Sequence, residues 1–405
     1  MIGSLHGGQM DRATNSKDTN LGIDAGRMAR VTRRVREDIE RGRYNGAALR
    51  VARHGEVILD LCEGLADRAA HRELATDSVF HLMSLSKALT ATVALKLVEA
   101  GVFQLTTPIA EVIPEFGRAR KQGINVYHIL TQTSGLPIDT PGVPFEVIAD
   151  LAQYAGWTFD RPPSCDPGRQ VAYSVLVAHS VLGLFMQRVT GRPFLNLMQE
   201  ELFAPLGMRD TAFGPRADLL ARRCPIVAAA YLAEPAQKEA AAITAQHVAR
   251  ITGYNAVPDG IVPGGGALST LHDMHRFAEM LRAGGVYQDA RILSPAMLEL
   301  ISRNHTGTLP NEVFRGIFPA RNWVECPAYL GLGFWGRGET PTPGPFGALN
   351  SPRTFGGIGR GTTMFWIDPK LDMSMVLLTT GLMDEADNFV RYSTLSDLVV
   401  SSVVT

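Results

Sequence analysis

Residues 78–101 read SVFHLMSLSKALTATVALKLVEAG. From Ser84 to Ala100 the run is mostly apolar, and it ends at Gly101, a residue suited to the left-handed turn that closes a helix. The pattern predicts a buried helix beginning at Ser84. Ser84 and Lys87 both fall in its first turn, on one face. A serine at that place has free backbone N–H groups beside it and sits at the positive end of the helix dipole. Leu89, Val93, Ala94 and Leu97 surround the lysine with apolar side chains, and burial disfavours a charged amine. A neutral amine can take the proton of a serine hydroxyl, so the pair suits a nucleophile and its base. The alternative is a capping serine with a lysine that snorkels to solvent. The chain has 18 serines and 6 lysines but one S-x-x-K string, against a chance expectation of roughly 0.3.

Working outward, Asp24 to about Arg43 reads as an amphipathic helix capped by Asp24, with Met28, Val31, Val35 and Ile39 at helical spacing. AALRVAR (47–53) and EVILDLC (56–62) flank His54-Gly55 as a hairpin. TTMFWID (362–368) and DMSMVLLTT (372–380) form a second hairpin around Pro369-Lys370, and a helix from about Asp384 to Val400 closes the chain. LGLGFW (330–335) suggests a short strand. Residues 105 to 265 read as mostly helical with long loops, and a second apolar helix is expected from about Tyr173 to Val189. In IVPGGGALST (261–270) the glycines follow no strand of a βαβ unit, so no nucleotide loop is read there. Thr270 with Asp273 suits the cap of the next helix.

The expected fold is α/β of the α+β type: an antiparallel sheet built from both chain termini, flanked by helices, with an inserted, mostly helical lobe. The expected division is a disordered tail at 1–22, an α/β domain at 23–105 and 265–405, and an inserted helical domain at 106–264.

Of the 405 residues, 45% are hydrophobic and 20% charged, with a formal net charge of −1. Such a balance gives no electrostatic footprint for nucleic acid. No run of 18 or more apolar residues proposes a membrane span. The first twenty residues lack the apolar core of a signal peptide, so a cytoplasmic location is expected. Cys62, Cys165, Cys224 and Cys326 are far apart and read as core thiols. His272 and His275 lack a third ligand nearby, so no metal or organic cofactor is expected. Oligomeric state has no signal in the sequence.

Two further stretches bear on chemistry. Pro167-Gly168-Arg169-Gln170-Val171-Ala172-Tyr173-Ser174 places a phenol after a turn, where it can relay a proton; a half-buried aromatic at a helix start is the plainer alternative. Phe355-Gly356-Gly357-Ile358-Gly359-Arg360-Gly361 lets a substrate approach the backbone, so a second oxyanion N–H opposite that of Ser84 can come from here; a plain glycine turn is the alternative.

Together these residues resemble the serine β-lactamase-like hydrolases: class C β-lactamases, penicillin-binding proteins, family VIII carboxylesterases and related acyltransferases. HILTQTSGLP (128–137), PLGMRDTAF (205–213) and PGGGALST (263–270) extend the likeness over roughly residues 25 to 400. The resemblance implies Ser84 as nucleophile, Lys87 as helix lysine and Tyr173 as the family tyrosine. It places the oxyanion hole at the N–H groups of Ser84 and Arg360, or Gly359 if the third motif shifts by one residue. Gly357, Gly359 and Trp335 are the expected substrate-binding residues. Two departures matter. Val175 stands where β-lactamases and carboxypeptidases usually have Asn, and Gly357-Ile358-Gly359 lacks the usual leading Lys or His. Both losses remove groups that hold a β-lactam or peptide carboxylate. The expected activity is therefore hydrolysis of a small-molecule ester or amide through an acyl-enzyme on Ser84. An acyltransferase or thioesterase, and a non-catalytic binding protein on the same fold, are the alternatives.

Overall fold

The computed structural model describes residues 21–314 and 317–405. The expected tail lies almost wholly outside them, although Leu21 and Gly22 are placed: their carbonyls accept from Arg53 Nη1 at 2.5 and 3.1 Å. Helix α1 (Ala25–Glu40) begins at Asp24, whose carboxylate accepts the Arg27 N–H at 2.8 Å. Strands β1 (Gly46–Arg53) and β2 (Glu56–Asp67) make the hairpin around His54-Gly55, and β3 (Arg72–Glu73) pairs with the outer edge of β2. β4 (Phe80–His81) leads into helix α2 (Leu85–Glu99).

The stretch to residue 264 holds helices α3 (Val177–Thr190) and α4 (Lys238–Asn255), several short helices and strand β5 (Ala212–Phe213). Strand β6 (Ala267–Ser269) precedes helix α5 (Leu271–Arg282), which Thr270 caps as its position suggested. The last part supplies β7 (Trp335–Gly336), β8 (Phe355–Gly359), β9 (Thr363–Asp368), β10 (Met373–Thr380) and helix α6 (Glu385–Val400).

Seven strands form one antiparallel sheet in the order β3-β2-β1-β10-β9-β8-β7. Its centre joins the two ends of the chain: Gly46 pairs with Thr380, and the register runs to Arg53 with Met373. β10 is buried along its whole length because both faces of the sheet are covered. Alternation splits its side chains between two cores. Met373, Met375 and Leu377 pack with Met28 and Val35 of α1 and Phe389 and Leu395 of α6. Val376 and Leu378 face Met274, Phe277 and Leu281 of α5 and the apolar side of α2. A smaller sheet, β4-β6-β5, lies at the start of α2.

Candidate active site

Met83 has φ of +52°, a left-handed conformation few residues with a side chain adopt, and it turns the chain sharply from β4 into α2. Ser84 follows at the helix N-cap with φ −69° and ψ −4°, and its side chain makes no capping hydrogen bond. The hydroxyl instead meets Lys87 Nζ at 2.9 Å. Lys87 does not snorkel: it is 3% exposed.

Lys87 Nζ has two further partners. It donates to Val175 O at 2.6 Å and to Gly264 O at 2.8 Å. The two carbonyls fix the amine against Ser84 Oγ. A neutral amine keeps two N–H groups for those carbonyls and turns its lone pair to the hydroxyl. Burial, and then the charge of Arg360, lowers its pKa to about 7. Gly264 reaches this place because it lacks a side chain: a Cβ there would lie 3.0 Å from Leu176 O. Neither carbonyl was foreseen from sequence.

The Tyr173 ring lies over Lys87, with Nζ 5.0 Å from its centroid. Burial pushes the phenol pKa up to about 12; smaller opposing effects include hydrogen bonds with the side chains of Ser84 and Trp335. Tyr173 therefore stays a phenol at neutral pH. The sequence places it at the start of a helix, but α3 begins at Val177. The N–H groups around Tyr173 are taken from outside: Ala172 donates to Gln132 O at 2.9 Å, Ser174 to Gln132 Oε1 at 3.0 Å and Val175 to Ile138 O at 2.8 Å. Trp335, 7% exposed, lies tilted behind the phenol with centroids 5.6 Å apart and stacks against Phe314 at 5.7 Å. It backs Tyr173 and also lines the recess beside Ser84.

Strand β8 presses on the turn before Ser84. A Cβ on Gly359 would sit 2.5 Å from Leu82 O and 3.0 Å from Met83 Cβ. Tyr392 of α6 braces the strand end: its hydroxyl donates its one proton to Thr363 O at 2.6 Å and lies 3.0 Å from Gly359 O. Among the described residues, neither the Ser84 N–H nor the Arg360 N–H has an acceptor. Two free donors beside a nucleophile can serve a developing oxyanion. Gly357 lines a recess with Ser84, Lys87, Tyr173 and Trp335. Arg360 extends its side chain along a second cleft beside Ser84, whereas Arg353 points away and donates to Ser302 Oγ at 3.2 Å.

Sequence reading missed His179 of α3. It is fully buried in the recess with Ser84 and Lys87, and both its ring nitrogens lack a partner among the described residues. Burial, then the nearby Lys87, holds its pKa well below the imidazole value. No group of three or more His, Cys, Asp or Glu among the described residues is arranged to hold a metal ion.

The sequence profile of the Beta-lactamase family matches residues 31–396. The chain is 27% identical over 399 residues to the esterase/beta-lactamase LipL of Mycobacterium tuberculosis, a match covering 92% of this chain and 87% of the relative. It is 32% identical over 219 residues to esterase EstB of Burkholderia gladioli, covering 50% of this chain and 55% of the relative. The crystal structure of a family VIII carboxylesterase superposes with a TM-score of 0.73 at 21% identity, over 94% of this chain and 98% of the other. A profile match across most of the chain, on this fold and around this Ser–Lys–Tyr cluster, places the protein in the beta-lactamase family of serine hydrolases.

Proposed function

We propose that the protein is an esterase-like hydrolase that works through an acyl-enzyme on Ser84. The observation that carries this reading is the Lys87 amine, held 2.9 Å from Ser84 Oγ by two carbonyls in a buried site. Ser84 Oγ attacks the acyl carbonyl and gives its proton to neutral Lys87. The N–H groups of Ser84 and Arg360 receive the oxyanion, each worth about 3 kcal/mol in the transition state. As the tetrahedral intermediate collapses, the bond to the leaving oxygen breaks and the Tyr173 phenol protonates that oxygen. Lys87 passes its proton back to the tyrosine. Water then attacks the acyl-enzyme with the same groups in reverse roles, releasing the acid and restoring Ser84.

Val175 favours esters over β-lactams. Its carbonyl is committed to Lys87, and its side chain has no amide to offer a substrate. A fluorophosphonate probe tests the reading directly. The expected adduct maps by mass spectrometry to Ser84 and is absent from Ser84→Ala; labelling that survives this substitution overturns the nucleophile assignment.

A further inference from the structure

We infer that the cleft beside Ser84 accepts an acyl chain bearing a carboxylate, with the Arg360 guanidinium as its counter-ion. This rests on the acyl-enzyme reading above and adds the substrate class.

Ser84 stands between two hollows. The recess with Tyr173 contains the proton donor for the leaving oxygen, so the leaving group departs on that side. The second hollow lacks Tyr173 and Lys87 and includes Ser84 and Arg360. The acyl chain belongs there. The empty volume, open mouth included, is about 520 Å³. Met83, Val175, Leu176 and Ile251 give it an apolar wall suited to methylenes.

The charges on its rim are unequal. Arg250 is matched: it pairs with Asp139 and donates to Thr140 Oγ1 at 3.1 Å. His247 is neutral, because burial and then Arg360 lower its pKa to about 4. Arg360 differs from both. Its side chain is 36% exposed, its ion pair with Glu385 is loose at 4.0 Å, and it donates no hydrogen bond among the described residues. Glu385 Oε2 also accepts the Gly361 N–H at 3.1 Å, and burial raises the pKa of this carboxyl against the opposing charge of Arg360. A guanidinium with one loose ion pair and no hydrogen bond, at the rim of an apolar cleft, suits a carboxylate, which it can bind through two parallel hydrogen bonds. The lost Asn and Lys of the β-lactam-binding relatives thus leave an anion site on a different element, aimed at the acyl chain.

Two esters with the same chain length and leaving group test this: p-nitrophenyl hexanoate and the mono-p-nitrophenyl ester of adipic acid. The readout is the ratio of their kcat/KM values, in which any common loss at the oxyanion hole cancels. Wild type should favour the adipate by about 10- to 50-fold. Arg360→Gln should bring the ratio to about 1 or below, and Arg360→Lys should restore part of it. A wild-type preference for the hexanoate, or a ratio unchanged in Arg360→Gln, overturns the anion site while leaving the acyl-enzyme intact. If neither ester turns over and fluorophosphonate leaves Ser84 unlabelled, the acyl-enzyme reading falls and this inference falls with it.

Discussion

Acidification should switch the enzyme off through one group. Lys87 must be neutral to accept the Ser84 proton, and burial followed by the Arg360 charge brings its pKa to about 7. The kcat/KM for an activated ester should therefore reach half its plateau near pH 7. One unit lower it should fall to about one-tenth of the plateau, and two units lower to about one-hundredth. The two histidines beside the site cannot produce that limb: burial takes His247 to about 4 and holds His179 far below the imidazole range. Tyr173, pushed up to about 12, leaves the plateau unbroken on the alkaline side. Arg360→Gln removes a repelling charge and should move the midpoint to higher pH. Lys87→Arg cannot supply a neutral base, so it should lose about 10²- to 10⁴-fold in rate together with the limb. The assay is stopped-flow release of p-nitrophenol from p-nitrophenyl butyrate, read at the nitrophenol isosbestic wavelength at constant ionic strength. A flat profile from about pH 5.5 to about pH 8.5, or an unchanged limb in Lys87→Arg, refutes the role of Lys87.

Three further outcomes follow from the same geometry. Because the folded pKa of Lys87 is lowered, the cost of its burial is full below that pKa and fades as pH rises toward the unfolded value; the stability of wild type relative to Lys87→Met should rise by about 1.4 kcal/mol per pH unit from about pH 7 to 10, measured by urea unfolding. An alanine Cβ at Gly359 would lie 2.0 Å from Thr363 Oγ1 and 2.5 Å from Leu82 O, so Gly359→Ala should push β8 away from Ser84; steady-state kinetics should show kcat reduced about 10²-fold with KM little changed. Nitrocefin should turn over at least about 10²-fold more slowly than p-nitrophenyl butyrate in kcat/KM, since Val175 offers a β-lactam no amide; comparable rates in a side-by-side assay would contradict the ester reading.

What was legible in the sequence was local. The two hairpins, the caps at Asp24 and Thr270 and the Ser84–Lys87 face each depend on residues a few positions apart, and the structure forms them where the spacing puts them. What escaped was carried by backbone atoms and distant partners. Val175 O and Gly264 O position the lysine, yet any residue has a carbonyl. Helix α3 starts late because Gln132, far off in sequence, takes N–H groups from the Tyr173 segment. The left-handed turn at Met83 has no glycine to announce it. Arg353 and Arg360 are near neighbours in the chain, and only the fold separates the one at the cleft from the one facing Ser302.

The pairing of β1 with β10 at the centre of the sheet has a consequence for how the protein is made. Gly46 and Thr380 meet across 334 residues, so the ladder joins strands made far apart in synthesis. Contacts that span such a loop form slowly. During translation Ser84 and Lys87 emerge well before β8 and the Arg360 N–H. A nascent chain thus holds the nucleophile and its base without the strand that completes the oxyanion site. Activity in refolding experiments should accordingly return with the slowest phase, after the helices have formed.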